Sequence, residues 1–173
     1  MKTAFISLVT FAIIIASSAM MALSAWQEDE SPLIGRSAPS FKLNAYTGEQ
    51  VNTESFKGKV LLVVFIVPGL PESAQAMSLL ESLYKTHKRA GLEIIAIDMK
   101  GRKKVAEHFQ RQQDVSIPML QGDGRMAMED WEVRFSPTYY LIDRNGIVRY
   151  HYDQEHALNR EKLQADISNL LKK

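Results

Sequence analysis

Few side chains in this 173-residue sequence are equipped for chemistry, and none of them is a cysteine. That absence excludes thiolate catalysis, disulfide formation, Cys-ligated zinc and iron–sulfur clusters in one stroke. The segment Leu70-Pro71-Glu72-Ser73 holds a hydroxyl and a carboxylate between an apolar run and a helix-like stretch. Ser73 would need an adjacent base to act as a nucleophile, and no His stands near it in sequence. We therefore read Ser73 as the N-cap of the helix that follows. Glu72 could serve as a general acid at a site mouth; we read it as a first-turn carboxylate favoured by the helix dipole. His87, His108, His151 and His156 show no His-x-x-x-His spacing, so they are read as solvated surface residues, with no metal and no cofactor expected. No catalytic residue is assigned.

Composition sets the frame. With 46% apolar and 24% charged residues, the chain has enough material for one domain with a substantial core. The N-terminal stretch is different in kind. Lys2 precedes an almost uninterrupted apolar run from Ala4 to Ala16, small residues follow, and Ala22-Leu23-Ser24 offers a cleavage site before Ala25. Residues 1–25 are expected to be a secretory signal peptide or an uncleaved N-terminal membrane anchor; either exports the domain. Residues 26–36, with Glu28-Asp29-Glu30, read as a solvated linker, and 37–173 as the domain. Counting 21 basic and 20 acidic residues and removing Lys2 leaves 20 of each. Such a balance gives no electrostatic reason to bind nucleic acid, and membrane contact is expected only through the N-terminal segment.

Periodicity places the elements. Ala38 to Leu43 and Val51 to Thr53 read as short strands around a Thr47-Gly48-Glu49 turn. Val60 to Val67 is eight apolar residues rich in Val, as in a strand buried on both faces. Met77, Leu80, Leu83 and Tyr84 recur at helical spacing after Ser73, and Gly91 can close that helix. Leu92 to Asp98 is a second buried strand, Val105 to Gln112 a helix, Ile117 to Leu120 an extended piece and Ala127 to Trp131 a short helix. Thr138 to Asp143 and Ile147 to Tyr152 form a hairpin about Arg144-Asn145-Gly146, and Leu163, Ile167, Leu170 and Leu171 make a closing amphipathic helix. Parallel strands with helical crossovers followed by an antiparallel pair imply an α/β sandwich with a mixed central sheet. Trp131, Tyr139 and Tyr140 are expected in the core, and Met126 and Met128 as gap-filling core or surface residues.

Four stretches now resemble exported thioredoxin-like proteins of the TlpA/ResA type, within the redoxin (AhpC/TSA) group. Gly35 to Leu43 (GRSAPSFKL) is similar to the family's G-x-x-A-P-x-F-x-L opening, and Lys57 to Phe65 (KGKVLLVVF) to its first core strand. Met77 to Tyr84 (MSLLESLY) resembles the helix after the redox motif, and Val133 to Gly146 resembles V-x-x-x-P-T-x-x-L-I-D-x-x-G. The resemblance implies a thioredoxin-like three-layer sandwich, a mixed central β-sheet flanked by helices, with an N-terminal β-hairpin extension.

It also exposes what is missing. The family's Cys-x-x-Cys falls on Leu70-Pro71-Glu72-Ser73, a degenerate redox motif. The buried polar strand position falls on Val64, and the helix acid on Ala76. A peroxidatic reading starting at Pro68 puts Glu72 at the required Thr and Gln75 at the required Cys. What the resemblance leaves is a peptide-binding surface: Gly69 and Leu70 opposite Ser136, Pro137 and Thr138, with a cis bond before Pro137. The expected function is a non-catalytic protein- or peptide-binding module of the cell envelope, its partner an envelope protein or peptide. The competing expectation is a redoxin-family oxidoreductase or antioxidant that acts with a partner's thiols.

Overall fold

Strand β3, Val60–Ile66, has every residue buried, and it organises the molecule. Its side chains alternate between faces, as strand geometry demands, and each face feeds a separate core. Val60, Leu62, Val64 and Ile66 join the first cluster; Leu61, Val63 and Phe65 join the second. Buried on both sides, β3 has no polar face, which explains its continuous apolar sequence.

The computed structural model describes residues 31–153 and 159–173, which lie in one compact unit of the chain. The signal or anchor segment 1–25, the acidic run Glu28-Asp29-Glu30 and His156 lie outside the described residues. Strands β1 (Lys42–Asn44) and β2 (Gln50–Asn52) pair antiparallel as a hairpin. The main sheet adds β4 (Leu92–Asp98), β5 (Met119–Gln121), β6 (Thr138–Ile142) and β7 (Val148–Tyr152) to β3, in the order β5-β4-β3-β6-β7. β3, β4 and β5 run parallel, while β6 and β7 run antiparallel to their neighbours. The helices are α1 (Pro71–His87), α2 (Lys103–Gln113), α3 (Gly124–Glu129) and α4 (Arg160–Leu171). Met77 and Leu80 of α1, Phe109 of α2 and Leu163 and Ile167 of α4 pack on the first face. Ala127 of α3, Trp131 and Val133 cover the second, with Leu33, Phe41 and Ala45 from the N-terminal side. The mixed sheet, flanking helices and N-terminal hairpin are those the sequence implied.

Four local expectations need correction. The Ala38–Leu43 strand shortens to β1 at Lys42. Pro39 has no N–H to give a ladder, and residues 35–38 instead make irregular bonds to Gly146 in the β6–β7 turn and to Val148 at the start of β7. Residues 31–36 of the expected linker are packed on the domain, with Leu33 buried in the second core. The short helix starts at Gly124, capped by the Asp123 side chain, and ends before Trp131. Ser73 is not the N-cap: Leu70 holds that place with no side-chain cap, and Pro71 is the first helical residue. Proline suits that position because it has no N–H to leave unsatisfied.

Candidate functional site

The site is built where β3 runs out. Beyond Ile66 the chain turns through Val67, Pro68 and Gly69 into α1. Gly69 has φ +94°, a conformation natural to glycine. Two hydroxyls hold the turn. Ser73, fully buried, donates from Oγ to the Val67 carbonyl at 2.9 Å. The Val67 N–H donates to Ser136 Oγ at 3.0 Å. Ser73, expected to cap the helix, thus points its proton back at the loop that precedes it.

Ser136 arrives from the neighbouring strand. The antiparallel register of β3 and β6 sets Phe65 opposite Thr138, so the residues just before Thr138 fall beside Val67. The Ser136–Pro137 peptide bond is cis, Pro137 is buried, and Thr138 Oγ1 donates to the Phe135 carbonyl at 2.9 Å. The structure therefore places the Leu70–Ser73 segment and the Ser136–Thr138 corner at one end of the sheet. Pro71 and Glu72 are exposed in the first turn of α1.

The rim is apolar. Leu70 is 42% exposed, Phe135 41% and Val105 37%, three of the four exposed large hydrophobics among the described residues. A Cβ added at Gly69 would lie 3.6 Å from Val105 Cγ1, which puts α2 against the loop. Val105 and Phe135 were missed from sequence. Phe135 directly precedes the Ser-Pro pair, so its place in the Val133–Gly146 motif was the available signal.

Val64 and Ala76, at the positions of the family's strand and helix acids, are both buried in the first core. The nearest buried carboxylate by register is Asp98, paired with Ile66 at the end of β4. Both its oxygens are engaged: Oδ2 accepts from the Tyr46 hydroxyl at 2.6 Å, and Oδ1 from the Lys100 N–H at 2.8 Å. Burial, reinforced by this carboxylate, pushes the Tyr46 hydroxyl well above its usual range. The pair pins the loop after β1 to the sheet. Asp98 was read only as the last residue of a strand.

The histidines are scattered. His108 is exposed on α2, whereas His87 and His151 are half-buried, not solvated as expected. The His151 ring packs on Tyr140 with centroids 4.8 Å apart. Among the described residues no three His, Asp or Glu are grouped to hold a metal ion. Trp131, Tyr139 and Tyr140 are core residues, Met126 packs against the second core, and Met128 is exposed.

Comparison with known proteins fits this geometry. The chain is 28% identical over 123 residues to the thiol-disulfide oxidoreductase ResA of Bacillus cereus, covering 71% of each sequence. The ResA of Bacillus subtilis is 28% identical over 120 residues, covering 69% of this chain and 66% of that one. Among solved structures, the thioredoxin domain of a thiol-disulfide oxidoreductase from Bacteroides vulgatus superposes with a TM-score of 0.70. It is 18% identical, covering 80% of this chain and 97% of that one, and shows a shared fold. The AhpC/TSA family model matches residues 34–151. That span holds the loop after β3, the cis-proline corner and the strands that bring them together, and by it the chain belongs to the AhpC/TSA family.

Proposed function

We propose that this protein is a non-catalytic peptide-binding module exported to the cell envelope. The observation that carries the reading is the exposed rim of Leu70, Val105 and Phe135 around a loop with no nucleophile. An exposed apolar cluster of this kind is costly to leave in water and suits a binding face. The backbone beside Pro137 would pair with an extended segment of the partner, a form of strand addition, while the rim takes its apolar side chains. Export rests on the apolar segment after Lys2; no helix among the described residues is long and apolar enough to cross a membrane.

The second reading, an oxidoreductase working through a partner's thiols, is favoured by the activity named for the ResA relatives. It is weakened by the chemistry of the loop. Leu70 cannot ionise, Ser73 cannot form a disulfide, and its hydroxyl is spent on the Val67 carbonyl.

Two measurements decide. Purified protein in insulin-reduction and peroxide-consumption assays is expected to give background rates; turnover above background overturns the non-catalytic reading. An extended peptide rich in aliphatic residues, titrated against the full chain by NMR, is expected to move the amides of residues 67–70 and 135–138. Leu70→Asp and Phe135→Asp should each weaken it about tenfold. No shift at either segment with such a peptide would remove the binding face.

A further inference from the structure

The apolar rim around the Val67–Leu70 loop stands beside a patch of unpaired positive charge. Lys100, Arg102, Lys103 and Lys104 fall within five consecutive positions, all exposed and with no acid among them. The Met99 N–H donates to the Ile66 carbonyl at 3.0 Å, so this segment starts where β3 ends and the loop begins. It leads directly into Val105, which lies against the loop at Gly69. Arg102 stands one turn before Val105, its carbonyl accepting from the Val105 and Ala106 N–H groups. A fifth cation, Arg134, is exposed next to Phe135.

The fold makes little use of these charges. Lys103 pairs with Glu107 at 3.9 Å. The side chains of Lys100, Arg102, Lys104 and Arg134 make no hydrogen bond and no ion pair among the described residues. Positive charge at a helix start opposes the helix dipole, and the first turn of α2 has no acid to offset it. The exposed acids of the flanking segments, Glu72 and Glu132, are fewer than the unpaired cations. The whole chain is close to neutral, with 21 basic and 20 acidic residues, so the excess is local to the rim. Like charges gathered without counterions raise a positive potential that an acidic partner relieves.

Backbone at the same place favours a peptide over a membrane surface. The half-buried Ser136 has neither its N–H nor its carbonyl in a hydrogen bond among the described residues. An extended chain can supply both partners; hydrocarbon can supply neither. We infer, resting on the binding face proposed above, that the partner is an acidic extended segment. Its aliphatic residues meet Leu70, Val105 and Phe135, and the Asp or Glu residues that flank them face Lys100, Arg102, Lys104 and Arg134.

The test titrates the full nitrogen-15-labelled chain with three capped peptides that share one aliphatic centre, flanked on each side by two Glu, two Gln or two Lys. The Glu peptide is expected to bind about tenfold tighter than the Gln peptide, through several weak exposed pairs acting together, and the Lys peptide more weakly still. Amides of residues 67–70, 100–105 and 135–138 should move together. The advantage of Glu over Gln should shrink below about twofold in about 0.5 M salt, where exposed charges are screened. Arg102→Glu with Lys104→Glu should shrink it equally; acids suit a helix start, so this variant should fold. Equal affinity for the Glu and Gln peptides, or an advantage unchanged in the double variant, overturns the acidic partner and leaves the binding face standing. No shift with any of the three peptides overturns both. Displacement of the Glu peptide by phosphatidylglycerol vesicles would give the patch to a membrane surface and also overturn the inference.

Discussion

Ser136 and Val67 sit 69 positions apart in sequence, yet the Val67 N–H donates to the Ser136 hydroxyl at 3.0 Å. With Ser73 holding the Val67 carbonyl, one loop residue is fastened on both its polar groups. Ser136→Ala leaves a part-buried N–H without that partner and is expected to cost about 1–2 kcal/mol. Urea unfolding should record the loss, and hydrogen exchange at the Val67 amide should quicken about tenfold. Unaltered exchange at Val67 would mean that the hydroxyl does not hold the loop.

Leu70 at the N-cap and the buried Ser73 in the first turn of α1 stand at the two positions where the family resemblance puts a Cys-x-x-Cys. The double variant Leu70→Cys with Ser73→Cys is expected to form an intramolecular disulfide in air and to cycle with dithiols. Thiol titration before and after reduction, with the mass change, measures this. Two free thiols that persist under oxidising conditions would show that the motif has been placed wrongly.

Acid sensitivity should come from two carboxylates far from the loop. Burial disfavours the Glu81 anion, but hydrogen bonds from the Ser116 N–H and hydroxyl, together with Lys85, outweigh it and lower the pKa below 4.5. Asp143 behaves alike: burial is overcome by the N–H groups of Ile147 and Asn145 and by Arg149, which lower it below 3.8. Both folded-state values are depressed, so their stabilisation is complete above the unfolded pKa and is lost as pH falls through the folded one. The melting temperature should therefore drop between about pH 5 and pH 3. Glu81→Gln should lower stability by about 1–3 kcal/mol at pH 7 and flatten that drop. A variant with the same acid limb as the parent would refute this account.

Tyr46→Phe, at a half-buried residue, removes the hydroxyl proton that Oδ2 of the fully buried Asp98 accepts. The expected cost is about 1.5–3 kcal/mol, the range for hydrogen bonds to charged groups. Chemical denaturation of the two proteins gives the difference directly, and equal midpoints would show that water or another group replaces the phenol.

Much of the architecture was legible because the forces behind it are local and periodic. The unbroken apolar run of β3 could only be a strand covered on both faces, and Arg144-Asn145-Gly146 could only turn a hairpin. Ser73 was misjudged because a hydroxyl can accept from helix N–H groups or donate backwards, and sequence does not separate the two. Pro71, a natural first helical residue, was the clue that moved the cap to Leu70. The exposure of Val105 and Phe135 was hidden for another reason: an apolar letter reads as core until tertiary structure shows that nothing covers it. Leu33 was lost in its acidic surroundings, although it is buried in the second core.

Val64 and Ala76 close the first core to polar side chains at two places. Each lies sealed among aliphatic side chains, with 0% and 4% exposure. A carboxylate introduced at either place would enter a dry interior without a partner, a penalty large against the stability of a small protein. A thiol at the exposed Leu70 position costs little and one at the buried Ser73 is close in size to the hydroxyl it replaces, whereas a carboxylate at Val64 or Ala76 would require the interior to be rebuilt around it. The exposed Leu70, Val105 and Phe135 can therefore change with far less disturbance than these two interior positions.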